Sequence, residues 1–326
     1  AIIVKKIISS TKIKRKGNRM IEEMKELEKC EICPRKCKVN RLKEEKGFCK
    51  LGVEVKVALV SSHDFEEPCI SGIGKDTKSS GTVFFSNCNL KCVFCQNHEI
   101  SAGGKGKVIT IERLAEIFLE EQERKVNNIN LVTPTMYAYQ IIEAIKIAKA
   151  KGLHIPIIYN SNGYENVETI KALNGYIDVY LPDLKYYANE LAIKYSSAPN
   201  YFDIATRAIK EMYAQVGGPQ FDENGIIQKG VIIRHLILPN HVQNTKRILK
   251  WIKENMPEDI YVSVMAQYFP TYKAKNMDEL NRKINIKEYR EVENYLYALD
   301  LKNGYMQDLG KHEEEYVPKF DFRGVE

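Results

Sequence analysis

Two hydrophobic periods alternate along most of the chain. Residues 83–86, 129–132, 155–159, 177–181, 231–238 and 260–265 are short apolar runs, the pattern of buried strands. Between them the apolar positions fall at helical spacing. Ile111, Leu114, Ala115 and Phe118 mark a helix over 111–124. Ile141, Ala144, Ile145 and Ala148 mark another over 137–151, stopped by Gly152. Further helices are predicted over 165–173, 188–195, 201–214, 245–254 and 286–299. Buried apolar strands separated by amphipathic helices call for parallel strands with crossover helices. Six such units suit a partial barrel better than a closed eightfold one. Chemistry in parallel barrels sits at the C-terminal ends of the strands, so the polar residues just after each run are the ones to watch.

Around this pattern the chain divides into three zones: a basic lead-in over 1–29, with a short amphipathic helix around 20–29; a compact cysteine-bearing module over 30–80, ending in the bend SGIGKDTKSSG; and the α/β region over 81–326, with a C-terminal helix and tail. The net charge is +6, with 44% hydrophobic and 28% charged residues, ordinary for a globular protein. The charge is concentrated at the start, where residues 1–50 carry 16 Lys and Arg against 7 Asp and Glu. A basic arm can bind nucleic acid, but a solvated terminus is the favoured explanation, and nucleic acid is not among the expected partners. No run reaches the roughly 18 apolar residues of a membrane span, and the charged first residues do not form a secretory signal. A cytoplasmic location is expected.

All eight cysteines lie in the first third of the chain. Close clusters of this kind point to metal sites rather than to a disulfide framework. Cys88-x₃-Cys92-x₂-Cys95 follows the first strand of the α/β region, in SNCNLKCVFCQN. Three thiolates on one tight loop can hold three irons of a [4Fe–4S] cube and leave the fourth iron to a chelating small molecule, such as the amino acid end of S-adenosylmethionine (SAM). The competing assignment is zinc held by these cysteines and His98, which the x₃ spacing disfavours.

The segments EICPRKCKVNR, EEPCISG, SGTVFFSNCNLKCVFCQNHEIS, NLVTPT, YNSNGYE, VYLPDLKY, EMYAQVG, IRHLILPN and MAQYFP together resemble, over roughly 30–310, the pyruvate formate-lyase-activating-enzyme-like branch of the radical-SAM enzymes. The resemblance implies a partial (β/α)6 TIM-like barrel. It also implies an oxidoreductase in which the reduced cluster cleaves SAM to methionine and a 5′-deoxyadenosyl radical that abstracts hydrogen from a substrate. By resemblance Phe94 lies against the adenine. Ser161 and Asn162 approach the SAM ribose or carboxylate, or alternatively cap the helix that follows. Asp183 and Lys185, on one side of their strand by alternation, approach SAM, or form a surface ion pair. Where many members carry a Gly-Gly-Glu segment for the SAM amino group, this chain has Thr133-Pro134-Thr135, so hydroxyls and carbonyls replace the carboxylate. Arg234 and His235 alternate in the fifth strand. Arg234 is the candidate clamp for a carboxylate and His235 a core residue. Gln267 follows the sixth strand.

Two Gly-rich segments read as loops: 103–107 as a mobile loop near the cluster, since it lacks the spacing of a phosphate-binding loop, and 215–225 as a loop over the barrel mouth. Cys30-x₂-Cys33-x₃-Cys37-x₁₁-Cys49 offers a second four-sulfur site for zinc or an iron–sulfur cluster, and Cys69 is left as a buried thiol. Expected cofactors are therefore a [4Fe–4S] cluster, SAM and a second metal. Expected partners are a reductant such as flavodoxin or ferredoxin and a substrate. The substrate is either a glycine of a glycyl-radical enzyme or another peptide, lipid or metabolite. A non-enzymatic iron–sulfur electron carrier would leave the six βα units unexplained.

Overall fold

The computed structural model describes residues 24–74, 78–310 and 318–326. One ten-stranded sheet organises them. In chain order its strands are β1 (Val55–His63), β2 (Ser80–Phe85), β3 (Lys107–Ile109), β4 (Ile129–Val132), β5 (Ile157–Ser161), β6 (Val179–Pro182), β7 (Gln220–Phe221), β8 (Ile227–Leu236), β9 (Tyr261–Met265) and β10 (Gly304–Met306). Across the sheet the order is β10-β9-β8-β6-β5-β4-β2-β1-β3, with β7 paired to β8. Strands β2, β4, β5, β6, β8, β9 and β10 run parallel, while β1 lies antiparallel between β2 and β3. The six strands expected from the apolar runs are β2, β4, β5, β6, β8 and β9. The sheet stays open, with β3 and β10 as its ends, which makes it a partial barrel.

The helices follow from the same apolar spacing. Helix Ile111–Glu123 begins where the Thr110 side chain accepts from the Arg113 amide, and it buries Ile111, Leu114, Ala115, Ile117 and Phe118 against the sheet. Helix Ala138–Ala150 packs beside it through Ile141, Ala144, Ile145 and Ala148. Helix Ile286–Ala298 starts at a reciprocal cap, with Asn285 accepting from Glu288 and the Glu288 side chain accepting from Asn285.

Several expectations change. β1, β3, β7 and β10 lie outside the expected runs. β1 comes from the stretch assigned to the cysteine module, yet it hydrogen-bonds into the main sheet from Val57 to His63. The predicted helix around 20–29 falls largely outside the described residues, and its described part is a 3-10 turn, Lys25–Leu27. The run 103–107 is tied down: the Lys105 carbonyl accepts from Ser86, the Gly104 carbonyl accepts from Lys56, and Lys107 enters β3. The loop after residue 215 is not at the mouth. Helix Tyr201–Val216 returns antiparallel to the strands, so its end and β7 lie against the start of β8, at the opposite end of the barrel. The chain end instead straps the cluster side of the sheet. Val60 donates to the Arg323 carbonyl, and Arg113 reaches the carbonyls of Gly324, Val325 and Glu326.

Candidate active site

The loop after β2 turns at Asn87, whose φ of 67° is left-handed, and brings Cys88, Cys92 and Cys95 to the lumen. Each sulfur meets its own donor. Cys88 accepts from the Leu90 amide at 3.3 Å and from Asn162 at 3.4 Å. Ser196 donates to Cys92 at 3.0 Å, and Ser101 lies 3.1 Å from Cys95. Burial, with Cys92 nearby, pushes the Cys88 thiol up to about 12 and the Cys95 thiol up to about 11. Burial also raises Cys92, against the pull of Lys185. A cation bound among three such sulfurs would favour their thiolate forms.

Among the described residues no three His, Cys, Asp or Glu side chains converge closely enough for a single metal ion. A cube spreads its thiolates over separate irons and requires no such convergence. His98, the fourth ligand of the zinc alternative, has Nδ1 3.3 Å from the Cys95 carbonyl and its ring stacked on Tyr272 at 4.8 Å, and it does not converge with the cysteines on one ion. The three-sulfur loop with one donor per sulfur therefore fits the cluster.

The lumen cavity, about 240 Å³, collects nearly all the residues singled out from sequence: Phe94, Thr133, Ser161, Asn162, Asp183, Lys185, Arg234 and Gln267 line it with the three cysteines. Thr135 does not. It is fully buried and donates to Glu165 at 2.6 Å. Thr133 sits at φ 61°, its amide bonded to the Asn160 carbonyl, so the Thr-Pro-Thr segment offers the lumen backbone and one hydroxyl. Asn162 and Gly163 make the turn after β5. Gly163 has φ 75°, and a Cβ there would collide with the Asp183 carbonyl, so only glycine lets this turn pack on the end of β6. Phe94 is buried edge-on against Tyr268 at 6.0 Å. Gln267 accepts from Gln307 at 3.0 Å.

Alternation resolves the fifth parallel strand as expected. Arg234 faces the lumen. His235 is buried in the wall, with Nδ1 2.7 Å from the Leu184 carbonyl and Nε2 2.9 Å from Thr245. Burial pushes His235 down to about 4, so it is neutral near pH 7. Asp183 and Lys185 form a close pair at 2.6 Å inside the lumen, not on the surface. Burial opposes the Lys185 charge, but Asp183 and Cys92 outweigh it and hold its pKa above the usual range.

Two carboxylates that the sequence does not single out complete the lumen wall. Glu66 and Glu67 precede helix Pro68–Ser71 and grip Arg234 at 3.3 and 3.0 Å. Glu66 also accepts from Asn130 of β4 at 3.1 Å and lines the lumen. The only sequence signal was an acidic pair before an N-terminal proline, which says nothing about a partner in β8. Behind the lumen, Glu165 is fully buried between Thr135 and Tyr159, and burial raises its carboxyl to about 7. A larger cavity, about 610 Å³, lies beside the cluster loop under the chain end, lined by Gln96, Lys105, Phe269, Phe320, Asp321 and Phe322. The cysteines open to the lumen, so the chemistry belongs there and not in the larger cavity.

An open parallel barrel with a three-cysteine loop at its first parallel strand and polar groups at the strand ends defines a class of cluster-bearing α/β enzymes. Residues 82–219 match the Radical SAM superfamily. The chain is 34% identical over 292 residues to Uncharacterized protein MJ0674 of Methanocaldococcus jannaschii, covering 86% of this chain and 76% of that protein. The chain belongs to the Radical SAM superfamily. Among solved structures it is similar to SuiB of Streptococcus suis bound to the precursor peptide SuiA, at 16% identity and a TM-score of 0.46, covering 68% of this chain and 47% of that one. It is also similar to native anSMEcpe with bound AdoMet, at 15% identity and a TM-score of 0.44, covering 65% of this chain and 57% of that one. The chain spans about half the length of the solved structures it matches. No helix among the described residues is long and apolar enough to cross a membrane.

Proposed function

We propose that the protein is a radical-SAM oxidoreductase that abstracts hydrogen from a glycine of a protein partner, in the manner of a glycyl-radical-enzyme activator. The observation that carries the radical-SAM part is the loop on which Cys88, Cys92 and Cys95 each have a separate donor and open into one polar lumen. These cysteines would hold the [4Fe–4S] cluster, and the remaining lumen residues would hold SAM. When bound, cluster and SAM supply a one-electron reductive cleavage and a hydrogen-abstracting 5′-deoxyadenosyl radical. A low-potential carrier such as flavodoxin or ferredoxin would deliver the electron.

The chain's own residues orient and shield. Asn162 fixes the Cys88 end of the loop. Lys185, held charged by Asp183, offsets the negative charge of the thiolates. Phe94 would cover the adenine, and Ser161 and Asn162 would meet the ribose or carboxylate. Glu66, tied to β4 through Asn130, is the carboxylate that would meet the SAM amino group in place of the Thr-Pro-Thr segment. Arg234 is already engaged by Glu66 and Glu67, which makes it the group that holds Glu66 in place rather than a free carboxylate clamp. The larger cavity supports a peptide substrate: it shares Gln96 with the lumen and offers aromatic faces beside Lys105 and Asp321.

In this reading the four cysteines of the N-terminal module form a second metal site. The test is anaerobic incubation of reconstituted protein with SAM and a strong reductant. 5′-Deoxyadenosine supports the radical-SAM part, and its absence from protein with a full iron complement overturns it. Transfer of deuterium from a glycine-labelled partner into the 5′-deoxyadenosine would support the glycine substrate.

A further inference from the structure

The loop 88–95 has two sides. Cys88, Leu90, Cys92 and Phe94 line the lumen, whereas Lys91 and Val93 do not. The side turned away from the lumen is held by three other segments. The Lys91 amide donates to the Ser196 carbonyl at 3.1 Å and the Val93 amide to the Tyr195 carbonyl at 2.8 Å, both at the end of helix Asn189–Ser196. The Val93 carbonyl accepts from Ala274 at 2.9 Å, in the 3-10 turn Tyr272–Asn276. Arg35 of the cysteine module donates Nε to the Asn89 carbonyl at 2.9 Å. Each of these segments carries cations seated on rings. The Phe48 ring meets Arg35 at 3.7 Å from its centre and Lys91 at 5.1 Å. Lys194 lies 5.4 Å from the Tyr195 ring, and Lys273 5.5 Å from the Tyr272 ring. Lys36, Lys50 and Lys275 stand exposed in the same segments. A ring supports the apolar stem and the charge together, which holds the cation at the surface. Among the described residues Lys194 alone of these cations pairs with a carboxylate, Glu279 at 2.5 Å. Two exposed carboxylates of the module fold back on it, Glu45 onto the Asn40 amide and Glu44 against Gly52. In the turn and the two residues after it, two exposed lysines stand against one exposed carboxylate, Asp278.

We propose that this outer face docks an acidic electron-carrier protein of the ferredoxin type, which delivers its electron through the back of the loop. The inference rests on the radical-SAM reading above and names the docking surface of the reductant at that same site. The lumen side belongs to SAM and substrate, so the electron has to enter from the other side. There the path is one residue deep: Lys91 precedes Cys92, and Ser196, whose carbonyl holds Lys91, donates its hydroxyl to Cys92 at 3.0 Å. The carrier is oxidised by one electron and the centre held by the loop is reduced by one. No bond forms or breaks and no proton moves. A face of ring-seated cations attracts an acidic partner and speeds its arrival, and it lets the partner leave again, which suits the small interfaces of electron-transfer encounters.

The test reads binding first and activity second. The reconstituted full chain is titrated anaerobically in a calorimeter with a plant-type ferredoxin, whose potential is roughly −400 mV. Binding should weaken as salt is added. Lys273→Glu with Lys275→Glu, at exposed positions outside the lumen, should weaken it about 10-fold or more and flatten the salt dependence. Lys91→Gln, which removes one charge without reversing it, should act in the same direction. 5′-Deoxyadenosine formed with ferredoxin as the reductant should fall with the binding, while that formed with dithionite stays at the parent rate. Equal binding by parent and charge-reversed chain, or no binding by a folded parent with a full iron complement, overturns the docking face. An equal loss with both reductants overturns it as well, because the lysines then act on the loop and not on the carrier. A short DNA duplex that the parent binds and the variant loses, with ferredoxin binding unchanged, would make this a nucleic-acid surface and overturn the proposal. Should dithionite yield no product while the variant still loses ferredoxin, the radical-SAM reading fails and the docking face stands.

Discussion

Asn162 donates its side-chain amide to the Asn89 side chain at 2.7 Å and to the Cys88 sulfur at 3.4 Å. A residue of the turn after the third parallel strand thereby holds a loop that follows the first. Its own oxygen accepts from the Tyr164 amide, which fixes the direction of the donor. Groups that orient a metal ligand in this way typically change metal affinity or activity by about 10- to 100-fold. Asn162→Ala is expected to slow 5′-deoxyadenosine formation by that range while leaving the melting temperature nearly unchanged. Iron content measured beside the rate would separate a lost cluster from a misplaced one.

Cys92→Ala removes the sulfur that Ser196 and Lys185 face. SAM cleavage should vanish while the far-ultraviolet circular dichroism stays that of the parent. Product formed at the parent rate would refute the assignment of the cluster to this loop.

Arg234 faces two carboxylates in a nearly closed site. Arg234→Met leaves Glu66 and Glu67 buried without their cation. Breaking a buried pair from one side costs about 3–5 kcal/mol, so chemical denaturation should show a loss of that order. SAM affinity, read by calorimetry, should fall as well, because Glu66 loses its anchor. A variant as stable as the parent would mean that water reaches these carboxylates.

Glu165 makes stability depend on pH in a defined direction. Its folded pKa, raised by burial from 4.5 to about 7, means that the folded state holds a proton the unfolded chain has released. The associated stability is complete below about pH 4.5 and is lost as pH rises through 7, by up to about 3 kcal/mol. Glu165→Gln should flatten that slope and gain stability above pH 7. His235 works on the other side. Its pKa, lowered from 6.5 to about 4, makes stability fall as pH drops through that interval. Urea unfolding followed from pH 4 to 8 checks both slopes.

The parts of the fold and site that were legible in the sequence are those set by local rules. Strands β4 and β9 were readable because buried parallel strands are continuous apolar runs, and the division between Arg234 and His235 followed from strict alternation. The cysteine loop was readable because its three ligands lie within eight residues. β1 was hidden: it lies among charged and cysteine-rich residues, and its partner β2 begins 17 residues after it ends. Glu66 and Glu165 were hidden for a related reason. Their roles depend on Arg234 and Thr135, which only the folded sheet brings beside them. The misplaced loop after residue 215 shows the same limit, since a turn motif does not reveal which end of a barrel it occupies.

The hydrogen bonds that anchor the cysteine module reach far along the chain. Arg41 donates to Met136, Thr169 donates to the Ile32 carbonyl, and Asn166 donates to the Glu31 carbonyl, spans of 95, 137 and 135 residues. Contacts of such separation close late, because the entropy of the intervening chain opposes them until the barrel between has formed. The module therefore takes its final shape after the barrel wall exists, although its four sulfurs lie near the start of the chain. A ribosome-bound fragment ending before β5 would carry every cysteine of the protein and still lack the surfaces that close both of their sites.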